Sequence, residues 1–395
     1  MTAGRAGAAV WLLALGQTLI YAGSYYAFPA LLPDLLAETG WSEAQLALGP
    51  TLAFLVMAVG TPLTGRLVDR GFGGELLIWA PVVAALALAG LSLADRPATW
   101  IALWLLIGAA QAGMLYETCF AFLTRRLGAG ARAAITRVTL VAGLAGTLAF
   151  PLGHWLGDVM GGRGALVAFA GLLLMLAVPA NALAARWLRQ GARAATDRAP
   201  PPPGVLRAAL RRPVLWGIAG SFALIWLNHT MLITYVLVLF AERGATEGAA
   251  TLAAACIGPA QVLGRIVLMM NEARIGNAPA FMGALGAVVL ASVVLWMAGA
   301  APGLIFAFAV LQGAGAGVLS ILRPVLTAER LGHEGFGVIS GAIAVAPILA
   351  SALGPSVGAW ALALGGAEAV YALVSGLALA GLALGGWVAA TGPRP

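Results

Sequence analysis

Lysine is absent from this chain, and all 22 of its basic residues are arginine. A Walker-type phosphate loop needs a lysine after its glycines. The glycine runs GAGAG (313–317) and GLAG (143–146) are therefore read as places of close helix approach or hinge bending. Charge is scarce altogether, at 9% of 395 residues, where a soluble domain carries about 25%. That argues against a soluble multidomain enzyme. Only two cysteines occur, Cys119 and Cys256, both inside apolar runs, so neither a disulfide framework nor a metal site is supported. There are three histidines, and an acid that could complete a Ser/His/Asp set is confined to Asp158 near His154. No catalytic residue and no cofactor is expected.

What the chain has in excess is apolar sequence, 61% of its residues, with a mean hydropathy of +0.95. Runs of ~20 apolar residues are long enough to cross a bilayer. Twelve are read, at 8–32, 44–64, 75–94, 99–123, 133–157, 165–187, 214–240, 249–270, 280–298, 302–326, 337–362 and 367–390. The first is too long and aromatic for a signal peptide, and Arg5 is a thin basic flank, so it is expected to remain as a span. The proline- and arginine-rich stretch 189–213 separates two six-span halves, 1–188 and 214–395.

The net charge of +7 would suggest nucleic acid in a soluble protein, but topology accounts for it here. With both termini inside, eighteen arginines fall on the inner side and three (Arg96, Arg163 and Arg243) on the outer, with Arg265 left aside. No nucleic-acid partner is expected. All-arginine usage suits a GC-rich genome, and the expected location is a bacterial cytoplasmic (inner) membrane.

Displacing the chain on itself by 204 residues aligns the halves without a gap. LAETGWSE (36–43) falls on FAERGATE (240–247), Gly60 on Gly264, Gly113 on Gly317, RLG (126–128) on RLG (330–332), and Gly161-Gly162 on Gly365-Gly366. Parallel six-span repeats imply a pseudo-twofold axis along the membrane normal, with a substrate site near the midplane.

TGRLVDRG (64–71), between the second and third spans, resembles the major facilitator superfamily loop signature G-x-L-x-D-R. The resemblance covers nearly the whole chain through the spans, the repeat and the central linker. It implies an all-α fold of twelve transmembrane helices working by alternating access. It also implies that Gly65 permits a tight turn while Asp69 and Arg70 clamp helix ends at a cytoplasmic gate. Downstream, FGGE (72–75) replaces the basic residues often found in the family. IGAAQAG (107–113) resembles the proton-antiporter pattern R-x-x-Q-G through Gln111, with Gly108 where the arginine would stand.

The remaining candidates are polar residues inside spans. Arg265, in PAQVLGRIVLMM (259–270), lies six residues before Asn271, about 9 Å along a helix. It either snorkels to the headgroups or presents its fork to a carboxylate, which is preferred. An arginine on the eighth span resembles the monocarboxylate and oxalate–formate branches of the superfamily. Glu117, in GMLYETCF (113–120), is the acidic residue well inside a span, and the repeat places Arg323 at similar depth. An inter-half latch and a proton-coupling carboxylate are both open for it. Asn228-His229 are expected to break the seventh span, opposite Ser24-Tyr25 beside Tyr26. With Tyr116, Gln111, Arg265 and Arg323 these residues form the candidate substrate pocket, helix–helix hydrogen bonding being the alternative for Asn228 and His229. The expectation is a monomeric secondary transporter for a small organic anion, driven by protons or by exchange. The competing reading is efflux of an amphipathic or cationic compound.

Overall fold

The computed structural model describes residues 3–191, 204–271 and 274–391. The inner part of the linker, 192–203, with Arg193 and Arg198, lies outside the described residues, as do Glu272, Ala273 and Arg394. Among the described residues the regular structure is helical.

Among the described residues, nine helical stretches are long and apolar enough to cross a membrane. Three of them are two spans joined through a glycine that the helix cannot hold. Gly71 has φ 101°, Gly161 φ 73° and Gly366 φ 62°, a left-handed region that costs any residue with a Cβ. Dividing at these glycines gives the twelve spans of the sequence. They are α1 (3–39), α2 (Glu43–Leu67), α3 (Gly73–Leu91), α4 (97–127), α5 (131–160), α6 (162–191), α7 (Pro213–Glu242), α8 (Glu247–Met270), α9 (Asn277–Met297), α10 (Leu304–Leu331), α11 (336–364) and α12 (367–390). Tryptophans such as Trp79 and Trp360 stand exposed on outer faces, as a lipid solvent permits.

The chain divides into two compact units. One runs to Leu206 and includes His333–Ala342, the first turns of α11; the other takes Arg207–Gly332 and resumes at Ile343.

The repeated residues turn out to be local stop and start signals. Gly40 ends α1 with φ 66°, and its repeat mate Gly244 follows α7 with φ 79°. Two residues on, Ser42 caps α2 by accepting from Gln45 N, and its mate Thr246 caps α8 by accepting from Ala249 N. Glu38 closes the other end of this corner in the first unit. Its carboxylate accepts from Gly162 N at 2.6 Å and Arg163 N at 3.0 Å, capping α6.

GAGAG packs as its composition suggests. A Cβ on Gly313 or Gly317 would strike the α8 backbone at Ile257 and Gln261, and one on Gly315 would meet α9. Asn228 and His229 do not break α7, which is continuous from Pro213 to Glu242. Their polar groups find partners on other helices, so the backbone ladder is left whole.

Among the irregularities that the sequence did not suggest, which include a π-turn at Leu173–Ala177 of α6, two bear on the site. Residues Ala22–Tyr26 of α1 form a π-turn, and α4 breaks at Leu115, whose ψ of −171° is extended.

Candidate functional site

In the first unit the two irregularities face one another and are satisfied reciprocally. Gln17 of α1 donates from Nε2 to the Met114 carbonyl beside the α4 break, at 2.8 Å. Gln111 of α4 donates from Nε2 to the Ser24 carbonyl inside the π-turn, also at 2.8 Å. Thr64 of α2 and Thr118 of α4 each donate a hydroxyl to the Ala112 carbonyl at 2.8 Å. Buried carbonyls released by a broken ladder need such donors. The break is thus held open by three helices.

The residues beyond the break form an aromatic cluster carrying one acid. Tyr116 lies 4.5 Å from Tyr21 between ring centroids and stacks on Phe120 at 4.8 Å. Tyr25 packs against Tyr26 at 4.9 Å and Phe54 at 5.4 Å. Glu117 follows in the first turn of Tyr116–Leu127, a helix start that favours negative charge. Tyr25, Tyr26, Tyr116 and Glu117 are all half-buried. Gln111, by contrast, is buried and its N–H is engaged with Ser24. Its geometry is that of a brace.

Gly108 has a physical reason for not being arginine. A Cβ there would run into the backbone of Ala53 on α2.

The second unit holds a polar knot on α7 and α10. Gln312 donates from Nε2 to Asn228 Oδ1 at 3.1 Å and faces His229 Nδ1 at 3.2 Å. Asn228 Nδ2 donates to the Val374 carbonyl of α12 at 2.8 Å. Asn228 is fully buried, so its contacts are those of the helix–helix alternative. His229 retains a small accessible surface and packs edge-on to Trp226.

Arg265 is 4% exposed and therefore does not display its guanidinium at a surface. Its Nε donates to the Gly317 carbonyl at 3.3 Å, and Nη2 reaches Gln261 Oε1 at 3.5 Å. The absent side chain of Gly317 is what lets α8 bring this guanidinium onto α10. Arg323, half-buried on α10, belongs to the same unit; Glu117 belongs to the other.

The loop signature is placed differently from the expectation in one respect. Gly65 is helical and makes no turn; the turn is made by Gly71. Gly65 instead allows backbone contact with Gly337 at the start of α11. Asp69, 4% exposed, caps that helix, Oδ1 accepting from Gly337 N and Oδ2 from Val338 N, both at 2.8 Å. Arg70 is exposed, and no ion pair holds it among the described residues. In FGGE, Glu75 pairs with Arg189 of α6 at 2.6 Å, and Arg189 crosses over Gly74 where a side chain would block it.

A loop whose aspartate caps α11, at the junction of two spans among twelve in a doubled six-span chain, points to one family. The sequence profile of the Major Facilitator Superfamily matches residues 13–301. The chain belongs to the major facilitator superfamily. It is a multi-pass membrane protein and a secondary transporter of a small molecule, not an enzyme. No curated protein sequence matches it. Among solved structures, the human organic anion transporter MFSD10 (TETRAN) is 20% identical, covering 96% of this chain and 99% of that one, with a TM-score of 0.70. FucP in the outward conformation is 14% identical over 96% and 98%, with a TM-score of 0.74. The proton:xylose symporter XylE, bound to 6-bromo-6-deoxy-D-glucose, is 14% identical over 97% and 95%, with a TM-score of 0.71. These likenesses are of fold.

Several residues of these clusters in the two units of this major facilitator chain were not singled out from sequence: Gln17, Thr64 and Thr118 in the first, Gln261 and Gln312 in the second. Gln17 and Gln312 carried the same signal as Asn228, an amide inside an apolar run.

Proposed function

We propose that this transporter moves a small organic anion of monocarboxylate type across a bacterial inner membrane by alternating access, with both termini cytoplasmic. Protons or a counter-anion drive it, and it works as a monomer. The observation that carries this reading is Arg265, a permanent cation buried within α8 and oriented by Gly317 and Gln261. An intramembrane charge is costly and marks function more often than packing. A guanidinium fork selects carboxylates geometrically. Arg323 adds a second positive charge and His229 a hydrogen-bonding ring from the same unit. The solved human relative is described as an organic anion transporter, which agrees with this class although the likeness is one of fold.

A second reading has an observation of its own. The tyrosine cluster around Tyr25, Tyr26 and Tyr116, with Glu117 beside it, suits an amine, since aromatic faces and a carboxylate both attract cations. It implies proton-driven efflux.

Thermal stabilisation of the purified chain by carboxylates, quaternary amines and neutral sugars separates the readings. Stabilisation by carboxylates, lost in Arg265→Ala and in Arg265→Lys, supports the anion, because an ammonium lacks the fork. Stabilisation by amines alone, lost in Glu117→Gln, would replace it with the cation.

A further inference from the structure

Two hollows adjoin one another in the second unit, where α7 begins and α10 and α12 end. The first, of about 340 Å³, is lined by Arg211, Arg212, Arg330 and Thr391. The second, of about 480 Å³, lies between α7 and α12 against Trp216, Leu384 and Trp387. Arg211, Pro213 and Trp387 line both, so a basic hollow passes into an apolar groove.

The basic hollow is constructed. Arg330 is 4% exposed and donates Nη1 to the Thr391 carbonyl and Nη2 to the Ala389 carbonyl at 3.3 Å. These bonds finish the C-terminus of α12 and fix the guanidinium plane. Its Nε is buried without a hydrogen-bond partner among the described residues. The neighbouring carboxylate, Glu329, is 3.8 Å from Nη2 and accepts from Asn277 Nδ2 at 2.8 Å, but lines neither hollow. Among the described residues no acid lines either one. The N-terminus of α7, with no acid in its first turn, adds the positive end of a thirty-residue helix.

The groove is equally specific. Gly217 lets Trp387 lie against α7, where a Cβ would meet its ring at 2.5 Å. Trp216 donates Nε1 to the Leu210 carbonyl at 2.8 Å, fastening the short helix Val205–Leu210. Both tryptophans remain substantially exposed, 59% and 44%, and indoles favour the headgroup level of a bilayer.

We propose that these hollows bind an anionic phospholipid, with its phosphate among Arg211, Arg212 and Arg330 and an acyl chain along Trp216 and Trp387. A free phosphate would fill the hollow and leave the groove idle. A neutral lipid would use the groove and leave three guanidiniums without a counter-charge from the ligand. Only an anionic lipid uses both. The assignment needs a membrane-embedded chain and nothing about the transported substrate, so it stands or falls apart from the anion reading.

Native mass spectrometry of the full chain tests it, with phosphatidylglycerol and phosphatidylcholine of matched acyl chains supplied in equal amounts. Phosphatidylglycerol should be retained about tenfold or more over phosphatidylcholine. The preference should fall towards one in Arg211→Ala/Arg212→Ala and persist in Arg274→Ala, an exposed arginine lining neither hollow. Trp387→Ala should lower retention of both lipids. Equal retention by the unaltered chain, or a preference surviving the double substitution, would overturn the proposal. So would equal thermal stabilisation by inorganic phosphate alone, which would make this a free-anion site. Arg330 is left intact because it finishes α12, and Arg211→Gln serves if the double variant does not fold.

Discussion

Gln17 and Gln111 each complete the backbone of the other's helix. Gln17, on α1, reaches the carbonyl of Met114 where α4 breaks, and Gln111, on α4, reaches the carbonyl of Ser24 where α1 forms a π-turn. Two departures from regular helix that would each strand a buried acceptor are thereby made to depend on one another. They sit at the depth where Tyr21, Tyr25, Tyr116 and Glu117 gather. Broken helices at such depth are how transporters present backbone and first-turn residues to a ligand.

Gln17→Leu and Gln111→Leu should each lower stability by about 1–3 kcal/mol, the usual result of leaving a buried acceptor unsatisfied. Because both brace the same helix pair, the double variant should lose less than the sum of the single losses. Thermal unfolding in one detergent reads all four proteins. Additive losses would mean that the two irregularities are independent.

Gly108→Ala should cost about 1–3 kcal/mol, the range for forcing atoms into a packed interior. The added carbon has only the Ala53 backbone to move against, and backbone cannot rotate aside. Gly108→Arg should fail to fold, so the antiporter arginine is not available to this chain by single substitution. Normal expression and melting of Gly108→Arg would show that α2 and α4 separate more readily than their contact implies.

Much of the fold was legible because its signals are local. A helix ends where a left-handed glycine allows it and restarts where a hydroxyl accepts an N–H, so Gly40-Trp41-Ser42 and Gly244-Ala245-Thr246 declare two corners within three residues. Gly161 and Gly366 likewise mark turns between spans. The site was less legible for the complementary reason. Nothing in AGSYY or GMLY announces a π-turn or a break, since their donors come from residues 87 and 97 positions away. Asn228 and Arg265 were visible as polar residues in apolar runs, yet whether each faces a ligand or a neighbouring carbonyl depends on helices that no local pattern specifies. Gly65 shows the same limit: the loop signature was readable, but the close contact with Gly337 replaces the turn it suggested.

Asp69→Asn should loosen the start of α11. The carboxylate accepts two backbone N–H bonds, and the amide retains one acceptor oxygen and no charge. Bonds to a charged acceptor are the stronger kind. A cysteine placed at the buried Ser340, in a chain with Cys119 and Cys256 replaced, should then be labelled several-fold faster than with Asp69 present. Equal labelling rates would show that Gly65–Gly337 packing holds α11 without the cap.

Glu117→Gln decides whether the acid beyond the α4 break moves a proton. Glutamine keeps the size and the hydrogen-bonding shape, so the helix start and the Tyr116 stack should persist. What it removes is the ability to gain and lose a proton, which no arginine in these spans can supply. If Glu117 couples transport to protons, the variant in proteoliposomes should lose uptake driven by a pH gradient. Substrate exchange between the two sides should continue at a comparable rate, because exchange needs the binding site and the conformational cycle but no net proton movement. Loss of both activities, with the melting temperature unchanged, would instead make Glu117 a contact for the substrate and favour the cation. Retention of both would leave the acid as a helix-start residue, stabilised by the dipole of Tyr116–Leu127 and without a part in coupling.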